Sequence, residues 1–235
     1  MIIQDKKILV VVAHPDDELL GLGATMNKLI NDCNCTARVV ILGEGITSRS
    51  DSRDPELWKT ELEKHRENIK SAQLKIGYKS IGIYDFPDNR FDSVDLLDIV
   101  KVLEKEKSEF QPDIIFTHHG GDVNIDHQRT FESVITATRP MEHENVKTII
   151  AFETASGTEW RASSDPKHFI PNMFVSISEA NLNSKIHAME CYEFEKRPYP
   201  HPRSPEALKI QAQRWGVTVG VDFAEAFMVI RTVCK

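Results

Sequence analysis

The run Lys7–Ala13 (KILVVVA) is apolar and rich in β-branched residues after its first position, and it passes directly into His14-Pro15-Asp16-Asp17-Glu18. A strand with no polar face must be covered on both sides, which is the situation of a central strand in a parallel sheet. Behind it, Asp16–Asp32 carries Leu19, Leu20, Leu22, Met26, Leu29 and Ile30 at helical spacing, and Thr36–Leu42 returns as a second strand. That is a βαβ unit. The alternation continues with helical pattern over Pro55–Leu74, a strand at Lys79–Tyr84, a helix at Ser93–Glu109 and a strand at Asp113–Thr117. The expected fold is therefore α/β and Rossmann-like, a mostly parallel, doubly wound sheet sandwiched by helices.

From His127 a helix is expected to Thr138, then strands at Thr148–Glu153 and Met173–Ile177, helices at Ser178–Tyr192 and Pro205–Arg214, and a strand at Ala226–Val233. This C-terminal part is less regular, interrupted by the rigid Arg197-Pro-Tyr-Pro-His-Pro-Arg203 segment. With 235 residues, 40% of them hydrophobic, and no internal repeat, one domain over 1–235 is expected. The loops Gly43–Asp54 and Ser156–Asn172 are long enough to give a site its walls.

Charge and cysteine usage narrow the class. A formal net charge of −7 lacks the basic surplus that a nucleic-acid partner needs. No stretch reaches the apolar length of an integral membrane segment, and the cytoplasm is the expected location. Cys33, Cys35, Cys191 and Cys234 form neither a disulfide framework nor a CxxC zinc site.

The chemistry is expected at the strand ends. In open α/β sheets ligands bind outside the carboxyl ends of the strands, and there Ala13–Glu18 places one imidazole and three carboxylates. Asp16 as a helix cap explains one acid, not three. Adjacent aspartates at a buried strand end repel each other unless a cation or a shared proton compensates. Gly21 and Gly23 come too late to form a phosphate-binding turn, and the acidic turn would repel a pyrophosphate; they suit close packing of the helix on the sheet.

A second motif, Thr117–His127 (THHGGDVNIDH), follows the fourth predicted strand and carries three histidines and two aspartates in eleven residues. His14, Asp17 and His127 together offer two nitrogens and one oxygen, a set suited to zinc with one position open for catalysis. Asp16, left out of that set, is placed to take a proton from water.

On these residues the chain resembles the PIG-L/LmbE family of zinc-dependent N-acetylglucosaminyl deacetylases, whose signature is an AHPDDE strand end and a later segment closing in DH. Both stand here, as Ala13–Glu18 and Asp126-His127, and the resemblance runs through most of the first 140 residues. It implies an LmbE-like fold, one zinc ion (Zn2+) or another divalent metal per chain on His14, Asp17 and His127, and Asp16 as general base. It also implies that Asp126 tunes a ligand or the base and that Arg66 and Asp88 hold sugar hydroxyls, and homo-oligomers are common among such proteins. The alternative for those two residues is pairing of Arg66 with Glu63 or Glu67 on a solvated helix face and a turn started by Asp88.

The second motif departs from some relatives, since Asn124 stands where a histidine is common and Asp122 near where a tyrosine lies. The oxyanion donor then falls to Asn124, His118 or His119, and His119 is also expected to bind substrate. In the last third, His201 offers a general acid and Arg203 a fork for phosphate or carboxylate, or the segment is only a tight connector. Trp160 is either a sugar platform or core. The expected activity is zinc-dependent hydrolysis of the N-acetyl group of an amino sugar or glycoconjugate, to acetate and free amine. The rivals are deacylation of a non-sugar amide and a non-catalytic metal-containing sugar-binding module.

Overall fold

The computed structural model describes residues 3–234. Seven strands, β1 (Lys7–Val12), β2 (Thr36–Gly43), β3 (Ser80–Phe86), β4 (Ile114–His118), β5 (Thr148–Phe152), β6 (Met173–Ser176) and β7 (Ala224–Thr232), form one sheet in the order β3-β2-β1-β4-β5-β7-β6. The helices are α1 (Asp17–Asp32), α2 (Lys59–Ile76), α3 (Leu96–Phe110), α4 (Ile125–Ala137), α5 (Glu179–Met189) and α6 (Pro205–Val219). Among the described residues no helix is long and apolar enough to cross a membrane.

Strand β1 is central for the reason its sequence gives. Ile8, Val10 and Val12 enter one core with residues of α1, α2 and α5, while Leu9, Val11 and Ala13 enter another with residues of α3 and α4. Helix α1 packs closely on the sheet because residue 21 is glycine: a Cβ there would come within 2.1 Å of the Phe152 ring on β5.

Strands β1 to β5 are all parallel. From β1 the chain winds outward through β2 and β3, then crosses back to β4 and β5 on the other side, so the order reverses between β1 and β4. A crevice opens at such a reversal, outside the carboxyl ends of the two strands. Both sequence motifs emerge there.

The C-terminal part departs from the parallel pattern in a way the sequence reading did not anticipate. β7 runs antiparallel to both β5 and β6 and lies between them. Helix α6 also continues beyond Arg214 to Val219, where Gly220 at φ 77° supplies a left-handed cap. Helix α2 begins at Lys59, after a turn, rather than at Pro55.

Candidate active site

The turn after β1 is shaped by its own acids. The His14 backbone N–H donates to Asp17 Oδ2 at 2.8 Å, and the Asp16 N–H donates to Glu18 Oε2 at 3.1 Å. Asp16 adopts φ 98°, a region costly for a residue with a Cβ, and its side chain makes no capping bond to α1. The carboxylate faces the crevice instead, so a helix-cap role does not explain it.

Asp17 Oδ2 is the centre of the cluster. His14 Nδ1 and His127 Nε2 each lie 3.4 Å from it, and ligand atoms of the three residues fall within 4.8 Å of one another. The remaining imidazole nitrogens lie against carboxylates, His14 Nε2 within a hydrogen bond and His127 Nδ1 in ion-pair range without a well-aligned hydrogen bond. His14 Nε2 is 2.8 Å from Asp126 Oδ2, and His127 Nδ1 is 3.1 Å from Asp122 Oδ2. This is the arrangement by which carboxylates fix the tautomer and orientation of metal-ligating histidines.

A second donor group, His14 with Asp88 and Asp126, lies beside the first. It is the weaker candidate, because Asp126 already accepts the backbone N–H groups of Asn89 at 2.6 Å and Phe91 at 2.8 Å besides the His14 ring. Asp126 is fully buried, reached from α4 through the Asn124 cap, whose Oδ1 accepts the Asp126 N–H.

The electrostatics ask for positive charge. Burial pulls the His14 and His127 imidazoles down, yet the surrounding aspartates outweigh it, raising His14 well above its ordinary value and His127 to about 9. Burial pushes Asp17 up, but the charge of the His127 ring beside it brings it well below the usual carboxylate range. The buried acids thus favour the charged form of both imidazoles, as they would favour a divalent cation in the same place.

Two of the motif histidines belong to the scaffold. His118 Nε2 accepts the Ala13 backbone N–H at 2.9 Å, which requires its proton on Nδ1, 3.0 Å from Thr154 Oγ1. The ring is wholly buried, stacked at 3.9 Å on His127, with its pKa lowered to about 4, first by burial. His119 turns away, its Nε2 donating to the Lys167 carbonyl at 2.7 Å and its edge against Phe169. Neither lines the crevice, and the expectation that His119 binds substrate is corrected: on consecutive positions the backbone sends their rings to different neighbours.

Opposite the metal-ligand candidates lies an ionic network. Arg203 Nη1 donates to Asp16 Oδ2 at 2.9 Å and to Glu195 Oε2 at 2.8 Å, while Nε donates to Ser156 Oγ at 2.8 Å. Arg49 Nη2 reaches the other Glu195 oxygen at 2.5 Å. Beneath Asp16, Glu18 accepts the Tyr192 hydroxyl at 2.6 Å, and burial raises its carboxyl to about 7.

These groups surround a cleft of about 300 Å³, bordered by His14, Asp16, Asp88, Asn124, His201 and Arg203, with the half-exposed Trp160 at its rim. An adjoining hollow of about 370 Å³ is lined mainly by apolar side chains and shares Arg197 and Arg203 with the cleft. Asp88 accepts the Ser48 N–H at 3.0 Å and lies 3.4 Å from His14 Nε2.

Arg66 is not in the cleft. It is exposed and pairs with the exposed Asp85 at 2.6 Å. The buried face of α2 is His65, Asn68, Ile69, Ala72 and Ile76, so helical phase turns position 65 inward and position 66 to solvent. His65 borders the cleft, and the arginines reaching it are Arg49, Arg197 and Arg203. Sequence reasoning missed Arg49, Glu195 and Tyr192. The flagged loop 43–54 pointed to the first, and nothing local in the sequence pointed to the other two.

The family described as PIG-L, GlcNAc-PI de-N-acetylase, matches residues 9–138. The protein described as uncharacterized deacetylase YaiS, from Escherichia coli (strain K12), is 26% identical over 193 residues, covering 80% of this chain and 91% of its own. Among solved structures, N,N'-diacetylchitobiose deacetylase from Pyrococcus horikoshii superposes with a TM-score of 0.74 at 20% identity, over 96% of this chain and 84% of that one. GalB, the 4-carboxy-2-hydroxymuconate hydratase of Pseudomonas putida KT2440, gives 0.75 at 19% identity, over 98% of each chain. The structural likenesses establish the fold alone, since a deacetylase and a hydratase share it.

Proposed function

The chain belongs to the PIG-L family of amide-hydrolysing deacetylases, and on that premise we propose that it removes the N-acetyl group of an N-acetylglucosamine-type amino sugar or glycoconjugate. We assign His14, Asp17 and His127 as the ligands of one zinc ion. The observation that carries the reading is the approach of His14 Nδ1 and His127 Nε2 to the same Asp17 oxygen, at 3.4 Å each, with Asp16 outside the set and bordering the cleft, its Oδ2 held by Arg203. Two imidazoles and one carboxylate form a donor set suited to zinc with an open position.

When bound there, zinc supplies Lewis acidity towards water and the amide carbonyl. Asp16 accepts a proton from the attacking water as its oxygen bonds the acetyl carbon. Burial, the largest influence on Asp16, raises its pKa against the opposing pull of Arg203, which favours proton acceptance. The C–N bond then breaks, the proton passes from Asp16 to the departing nitrogen, and acetate and a free amine leave. His201 is a poorer acid for that step, because burial and Arg203 lower its pKa.

Asn124 caps α4 with its Oδ1 and donates through Nδ2 to Asn89 Oδ1 at 2.9 Å, leaving one amide N–H for the developing oxyanion. Asp126 holds His14 in orientation. Asp88, His201 and the indole of Trp160 supply polar and flat surfaces suited to a sugar ring, and the adjoining apolar hollow leaves room for a substituent.

The test is zinc content of protein purified without added metal, paired with amine release from a panel of N-acetylglucosamine conjugates before and after chelation. One zinc per chain and chelator-sensitive release are expected. Metal without release from any conjugate would transfer the reading to another acyl amide, and no metal under any loading condition would end it.

A further inference from the structure

The family match ends at residue 138, yet the side chain that holds the Asp16 carboxylate comes from far beyond it. Among the described residues Arg203 is the only side chain that hydrogen-bonds the Asp16 carboxylate, through Oδ2, and Oδ1 has no protein partner. Asp16 gains no orientation from capping α1, and its backbone sits at φ 98°. A residue in such a conformation persists where its surroundings over-determine it.

Arg203 is itself fixed by two groups besides Asp16. Glu195, on the segment after α5, takes one Nη1 hydrogen; Ser156, after β5, takes the Nε hydrogen; and Arg49, after β2, anchors Glu195 from behind. Three of the five guanidinium N–H donors are therefore engaged within the protein. This leaves no complete fork for a phosphate or carboxylate of the substrate, the role expected from sequence.

We propose that Arg203 is a positioning residue that aims Asp16: it holds Oδ2 so that Oδ1 faces the attacking water, with Glu195 and Ser156 setting its own place. The inference rests on the reading of Asp16 as proton acceptor. It also makes the C-terminal segment part of the catalytic apparatus and not only a wall of the cleft.

The test compares zinc-loaded Arg203→Gln and Arg203→Lys with wild type by zinc content, steady-state kinetics and a crystal structure of Arg203→Gln. Expected are full zinc occupancy, KM close to wild type and kcat lower by about 10²-fold, the scale of a misplaced catalytic group. Arg203→Lys should recover part of kcat, having the charge without the fork. In an Asp16→Asn background the Arg203 substitution should add nothing further, as for residues acting as a unit. If Arg203→Gln fails to fold, Glu195→Gln carries the same comparison with a smaller loss.

A rise in KM with unchanged kcat would overturn the proposal in favour of a substrate-binding fork. An Asp16 carboxylate that keeps its place in the Arg203→Gln crystal structure would overturn it as well. The crystallographic result needs no turnover, so it decides the positioning role even if no N-acetyl sugar conjugate is cleaved.

Discussion

His14 and Asp126 join the two motifs directly, Nε2 to Oδ2 at 2.8 Å, and the bond selects Nδ1 as the His14 nitrogen that faces Asp17. Replacing Asp126 with asparagine keeps the shape but weakens the hold on the ring. Zinc affinity measured against a competing chromophoric chelator should fall about 10- to 100-fold, the usual cost of losing such a support. Wild-type affinity in Asp126→Asn would mean that the backbone alone orients His14.

Asp16 and the ligand candidates should separate cleanly under mutation. Asp16→Asn is expected to retain zinc and lower kcat by about 10²- to 10⁴-fold, the range for loss of a general base. His14→Ala should lose the metal. Equal zinc loss in the two variants, measured by elemental analysis, would contradict the division of roles.

His118 gives the opposite pattern. Truncation to alanine leaves the Ala13 N–H without its acceptor in a fully buried place and opens a cavity beside Phe152. The expected cost is about 2–4 kcal/mol in urea unfolding, with zinc still bound at the native stoichiometry. Unchanged stability with loss of zinc would make His118 a ligand.

Metal binding should release protons. The aspartates around His127 raise its pKa to about 9, so that ring carries a proton at pH 7 before metal enters, and the aspartates beside His14 shift its pKa in the same direction. Ligating nitrogens must give up their protons, so zinc affinity should rise with pH towards about 9 and fall as the solution is acidified. Calorimetry at pH 7 in buffers of different protonation enthalpy should report at least one proton released per zinc. A heat independent of buffer would refute the charge state assigned to these rings.

The parts legible in sequence were those encoded by neighbours in the chain. KILVVVA required a strand covered on both faces, and Ile8 and Leu9 do enter opposite cores. The strand-end acids and the DH pair also announced themselves by spacing, and the fold brings them together. What failed depended on phase or distance. One step along α2 separates the inward His65 from the outward Arg66, and Glu195 and Tyr192 reach the Asp16 region only through tertiary packing. The place of β7 was equally illegible, because its pattern suits an antiparallel strand on either side of β5 or beyond β6.

That place in the sheet governs how the protein is made. β4 and β5 can pair as soon as both have been synthesised, but the other edge of β5 must wait for β7, since Ile150 aligns with Val229. During that interval an apolar strand presents unsatisfied backbone groups, a template for pairing with the wrong chain. Translation that stalls between β5 and β7 should therefore give an aggregation-prone nascent chain, even though both sequence motifs have already been made.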